Sequence, residues 1–112
     1  FTTSATTTQL SLRQLAEEAY KGFERERIES WRRKSERILR DRLDTRFGCA
    51  DLPYQVSFDG QGNAYAVIDS IKFRAPESPT IDGLLIVTED GLAQVGGLVD
   101  LGRYLAEREA DR

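Results

Sequence analysis

Ser11-Leu12-Arg13-Gln14-Leu15-Ala16-Glu17-Glu18-Ala19-Tyr20-Lys21-Gly22-Phe23 opens a run that continues to Phe47 without a proline and reads as helix throughout. Its start is well specified: Ser11 can accept from the Gln14 amide, the Gln14 side chain can reach back, and Leu10 can staple onto Leu15. Its end is specified too, because Gly48 enters the left-handed conformation without steric cost and Pro53 blocks any continuation. The spacing therefore predicts one helical segment over 11–47. Such a segment would reach about 55 Å. The roughly 65 residues that remain build a body only about 28 Å across, so the helix must overhang, bend or find a partner.

A helical wheel sharpens that choice. Leu12, Leu15, Ala16, Ala19 and Phe23 share one face, whereas Ile28, Trp31, Ser35, Ile38 and Leu39 share another, offset by about 140°. A heptad pattern drifts by only about 20° per repeat, so no smooth supercoil joins the two. Gly22 lies at the junction and costs about 1 kcal/mol relative to alanine inside a helix. These observations predict a kink or break near Gly22 and two burial surfaces. Phe23, Ile28, Trp31, Ile38 and Leu39 form the candidate protein interface.

Beyond the helix the hydrophobic period changes from 3.6 to 2. Tyr54, Val56 and Phe58 alternate with polar residues, Asp59 to Asn63 supply a turn, and Ala64 to Ile68 return as a second strand. Asp69-Ser70 fits a two-residue turn into Ile71-Lys72-Phe73-Arg74, which is preferred to an uninterrupted strand from Tyr65 to Phe73 that also satisfies the alternation. After a loop at Pro76 to Pro79, the segments 83–88 and 92–95 flank a turn at Glu89-Asp90-Gly91. Leu84 to Val87 is apolar on both faces, which predicts a central strand covered on both sides. Leu98, Leu101 and Leu105 recur at helical spacing and predict a closing helix over 97–109. The fold class is thus α+β: a long N-terminal helix, a four- to five-stranded antiparallel sheet over 54–95 and a short C-terminal helix. These form a single domain over 11–112, behind a flexible Thr-rich arm over 1–10. The chain opens at Phe1 and not Met, which suggests cleavage or residues further upstream.

Composition narrows the chemistry. The 112 residues include one cysteine and no histidine, which leaves no internal disulfide and no ordinary structural zinc set. The longest apolar run is far short of the roughly 20 residues of a membrane span. A cytoplasmic location is the expectation. Residues 21–46 carry ten basic against six acidic side chains, and residues 47–112 carry five against eleven. Arg33, Arg37 and Arg40 form a stripe able to track a phosphate backbone. The same arginines stand among i,i+4 carboxylates, Glu29-Arg33, Arg32-Glu36, Glu36-Arg40, Arg37-Asp41 and Arg40-Asp44, and are expected to be largely self-paired.

Catalytic and metal-binding patterns are weak. Asp59-Gly60-Gln61-Gly62-Asn63 spaces oxygen ligands as the first half of a calcium loop does, but the twelfth position is Ser70, not glutamate. Cys49 follows a helix C-terminus, which disfavours the thiolate. No carboxylate pair has a spacing that predicts acid–base work, so no activity, cofactor, metal or small-molecule substrate is assigned.

From Ile81-Asp82-Gly83-Leu84 to Leu98-Val99-Asp100-Leu101-Gly102-Arg103-Tyr104-Leu105 the chain resembles the tail of small uncharacterised phage-borne proteins that end in a hairpin and an LxDLGRxL-type helix. The resemblance covers about a quarter of the chain and implies origin in a mobile element. The paired hairpin cysteines of many such proteins are missing here, so no metal knuckle is implied. The expectation is a non-catalytic interaction or assembly protein, paired with itself or with another protein. Two alternatives stand beside it: a nucleic-acid accessory using Arg33, Arg37 and Arg40, and an inhibitor acting through an acidic sheet surface.

Overall fold

In the computed structural model, residues 11–110 are described. The arm expected over 1–10, with Leu10 of the staple, lies outside the described residues. Helix α1 spans Leu12–Arg46, strands β1 to β5 span Val56–Phe58, Ala64–Ile68, Ile71–Arg74, Leu84–Thr88 and Gly91–Val95, and helix α2 spans Leu98–Ala110. The five strands form one antiparallel sheet in chain order. The α+β arrangement is as expected.

Both ends of α1 follow their sequence signals. The Gln14 amide donates to Ser11 Oγ (3.1 Å) and the Ser11 amide donates to Gln14 Oε1 (2.9 Å), a complete capping box. Gly48 takes φ +65° just past the C-cap Phe47. In the middle the structure departs from expectation: α1 is a single helix of 35 residues that runs through Gly22 without a break. A β-carbon at Gly22 would meet nothing within 4 Å. A penalty of about 1 kcal/mol is too small to interrupt a helix whose hydrogen bonds form cooperatively on either side.

One face of the sheet carries the core. The row Val56, Ala66, Phe73, Ile86 and Ala93 crosses all five strands in register. Onto this face pack Leu39 and Leu43 of α1, both 0% exposed, with Phe47 and Cys49 beyond its end. Leu101 and Tyr104 of α2 pack against the same cluster. The opposite row, Ser57, Tyr65, Arg74, Leu85 and Gln94, has no described element over it. Strand β4 is therefore covered on one face only. Leu84 and Ile86 are buried, whereas Leu85 and Val87 stay half-exposed, which corrects the expectation of a doubly covered strand.

Two clamps hold α1 to the sheet. The β3–β4 loop is gripped by Arg42, whose guanidinium donates to the carbonyls of Gly83 (2.8 Å), Pro79 (3.0 Å) and Ile81. Arg46 adds an ion pair with Asp82 at 2.9 Å. At the other end of the sheet the β1–β2 turn docks on the middle of α1. Ser35 is 0% exposed, and its Oγ donates to the Gly62 carbonyl at 2.6 Å. Gly62 has φ +86°, and a β-carbon there would come within 2.8 Å of the Ile28 carbonyl oxygen. Only glycine allows that approach.

Asp59 organises the turn from within. Its Oδ1 accepts from the amides of Gln61 (2.9 Å) and Asn63 (3.0 Å), and its Oδ2 from Asn63 Nδ2 (3.0 Å) and the Tyr65 hydroxyl (2.9 Å). This is a hairpin turn, with every oxygen of the candidate calcium ligand already engaged by the chain itself. Partial burial pushes the Asp59 carboxyl upward, but the hydrogen bonds from Asn63, Tyr65 and Gln61 outweigh it and hold the pKa down at about 2. The next hairpin has the expected two-residue turn, with Asp69 at φ 52° and Ser70 at φ 67°. Both angles are those a tight type I′ connection demands.

Paired glycine substitutions test this architecture by urea unfolding. Gly62→Ala should lower stability by more than about 1 kcal/mol, whereas Gly22→Ala should raise it by up to about 1 kcal/mol. Equal effects at the two positions would contradict the docking of the turn on α1. Acid titration tests Asp59. Because its folded pKa is depressed, its stabilisation is present above the ordinary value near 4 and is lost as pH falls toward about 2. Relative to Asp59→Asn, the native chain should lose on the order of 1–2 kcal/mol across that window.

Candidate protein interface

The structure separates the two apolar faces of α1 by destination. The buried side chains Ser35, Leu39 and Leu43 face the sheet. Leu12, Leu15, Ala16, Ala19 and Phe23 lie roughly opposite on the wheel, turned away by about 180°. This first half of the helix projects beyond the body, and the molecule as a whole has principal extents of 74 × 30 × 24 Å. Its large apolar groups are bare: Leu12 is 82% exposed, Tyr20 64%, Phe23 62% and Leu15 51%. Scattered exposed apolar residues are ordinary, but a contiguous stripe along an unsupported helix is a candidate interaction surface.

The five residues expected at the interface divide accordingly. Phe23 alone stands on the bare stripe. Leu39 is in the chain's own core, and Ile28 and Ile38 are half-buried on the side of the body. Trp31 is half-buried, and its indole Nε1 donates to Asn63 Oδ1 at 2.8 Å. The face around Trp31 is thus occupied largely by the β1–β2 turn, so four of the five are drawn into or toward the chain's own packing. Reasoning from the sequence missed Leu12, Leu15 and Tyr20 as exposed groups. Their signal was the phase jump itself, which showed two surfaces without showing which one meets the sheet.

A cleft of about 630 Å³ opens where the projecting half of α1 meets the body. Phe23, Arg27, Trp31 and Lys34 line one wall, and Gln61, Asn63, Arg74 and Glu77 the other. Its charges are mixed, with Arg27, Lys34 and Arg74 beside Glu26 and Glu77. Arg27 forms a two-pronged contact with Glu24, both bonds 3.1 Å, which raises the guanidinium pKa and lowers that of the carboxyl. Arg74 stands 3.9 Å from Glu77 with its side chain 11% exposed. The cleft continues the bare stripe through Phe23.

The basic stripe is less self-paired than its spacing predicts. Of the five expected i,i+4 pairs only Glu36–Arg40 forms, at 2.8 Å; Arg32 instead pairs with Glu29 at 3.6 Å and lies 4.4 Å over the Phe58 ring. Among the described residues, Arg33 and Arg37 are exposed and make no ion pair. Arg40 is also 5.6 Å from the Tyr54 ring centre, so it is the least free of the three. No described strand contains an aspartate or glutamate. The carboxylates sit in turns, loops and helices.

For chemistry the inventory is sparse. Cys49 is 7% exposed, and burial, with Asp44 and Asp69 adding to it, pushes its thiol pKa up. Among the described residues no group of three or more Cys, Asp or Glu is placed to hold a metal ion. No described helix is long and apolar enough to cross a membrane.

The division of the two faces predicts contrasting stability effects. Leu39→Ala should cost about 2–5 kcal/mol in thermal or urea unfolding, as a core truncation does. Arg33→Ala and Arg37→Ala should stay within about 0.5 kcal/mol. A tolerated Leu39→Ala would return that residue to the surface.

Comparison of the chain with protein-family models, with curated proteins and with solved structures gives no match.

Proposed function

We propose that this chain is a non-catalytic protein-interaction or assembly module, and that the projecting half of α1 is its contact arm. One observation carries the reading: Leu12, Leu15 and Phe23 lie exposed on one side of a helix that no part of the described chain supports. A helix of this kind loses apolar surface to water until a partner covers it. The resemblance of the C-terminal quarter to phage-borne proteins is compatible with a part in a phage or mobile-element complex. The contact is placed N-terminal to the Trp31 face, because the β1–β2 turn already occupies much of that face.

The test is recovery of the tagged full-length chain from cells that produce it. The native chain should come out with a stoichiometric protein, either itself or another, and Leu15→Glu with Ala19→Glu should release it. Retention of the same protein by the double variant would show that the arm is not the contact.

A second reading has its own observation, the unpaired Arg33 and Arg37 on the exposed side of α1. As a nucleic-acid accessory the chain would bind DNA or RNA with an affinity that falls steeply with salt. Replacing both arginines would flatten the salt slope by about 2 in log–log terms. No binding at low salt removes this reading.

A further inference from the structure

We propose that the partner of the projecting arm is the arm of a second copy of this chain, packed antiparallel to it. This rests on the arm being the contact surface at all. The apolar stripe matches itself when reversed. With the two-fold axis near Glu17 and Glu18, Leu12 of each copy meets Phe23 of the other and Ala16 meets Ala19, while Leu15 borders the contact on one flank and Tyr20 on the other. Large aliphatic groups thus oppose rings at both ends, and two small residues oppose each other at the centre, where the helix axes approach most closely. A surface that is its own complement under a two-fold rotation is what a closed dimer interface requires.

Charge selects the antiparallel direction. On the wheel, Glu26, Arg33 and Arg37 continue the line of the stripe toward the body. A parallel pair would lay each of these against its own copy, and Arg33 and Arg37 have no carboxylate of their own to relieve the repulsion. Like charges placed across a contact oppose association. The antiparallel pair carries both arginines past the start of the second copy's helix. It also leaves room for the bodies. The sheet lies on the side of α1 opposite the stripe, so the two sheets end on outer sides and at opposite ends of the pair.

The experiment uses full-length protein, sedimentation equilibrium over a wide concentration range, and three variants: Leu12→Lys, Phe23→Glu and the two combined. Both changed side chains are exposed, and Trp31 emission together with far-UV circular dichroism confirms that the body is folded in each variant. The native chain should be a dimer, each single variant should weaken it by roughly tenfold or more, and the double variant should recover, because the opposite charges introduced by Leu12→Lys and Phe23→Glu then face each other twice. A native chain of single mass at high concentration overturns self-pairing but leaves the arm free for another protein. A dimer indifferent to both single changes places the self-contact elsewhere and overturns arm-to-arm pairing. Weakened single variants with no recovery in the double overturn the antiparallel direction.

Discussion

The hydrogen bond from the buried Ser35 hydroxyl to the Gly62 carbonyl sets the phase of everything else on α1. A hydroxyl with no exposed surface must find an acceptor inside the protein, and a loop carbonyl in the same position must find a donor. Gly62 brings its backbone close enough only because it has no side chain. Once that bond forms, Trp31 reaches Asn63 on one side, Arg32 lies over Phe58 on the other, and Leu39 and Leu43 turn onto the sheet. The helix is continuous from Leu12 to Arg46, so fixing its rotation here also bears on the direction of Leu12 to Phe23. The bare stripe is a geometric result of a bond more than three turns away.

Much of this fold was legible where local chemistry decides the outcome. Ser11 with Gln14, Gly48 after Phe47, and Asp69-Ser70 between two apolar runs each point to a boundary through a specific backbone requirement, and the structure places a boundary at each. The phase jump in α1 was legible too, as two faces. What the residues could not disclose was the pairing of faces with surfaces. That depends on where the β1–β2 turn lands, a contact between positions 27 residues apart. The expected break at Gly22 is absent for a different reason: an intrinsic preference was weighed against nothing, when the cooperative helix on both sides opposes it.

The arginines show the same limit. Spacing suggested that Arg32 pairs with Glu36, yet it lies over a ring and pairs with Glu29, and Arg42, outside the expected pairs, is committed to three loop carbonyls. Guanidinium groups are planar donors with several N–H bonds, and an irregular loop with free carbonyls competes well for them. Neither competitor is visible in an i,i+4 count. As a result the polarity of the chain, basic in α1 and acidic beyond, contributes partly to holding the loop and only partly to its outer surface.

The strict chain order of the sheet bears on how the molecule acquires its shape. Each strand pairs with the strand that precedes it, across connections as short as two residues, so the sheet can zip from local hairpins with little loop-closure entropy at each step. Helix α1 is likewise local in its own hydrogen bonds. The distant encounters are those of α1 with the β1–β2 turn and the β3–β4 loop. Folding speed should therefore be governed by the docking of two preassembled pieces, with Ser35, Gly62 and Arg42 joining late, after helix and hairpins already exist.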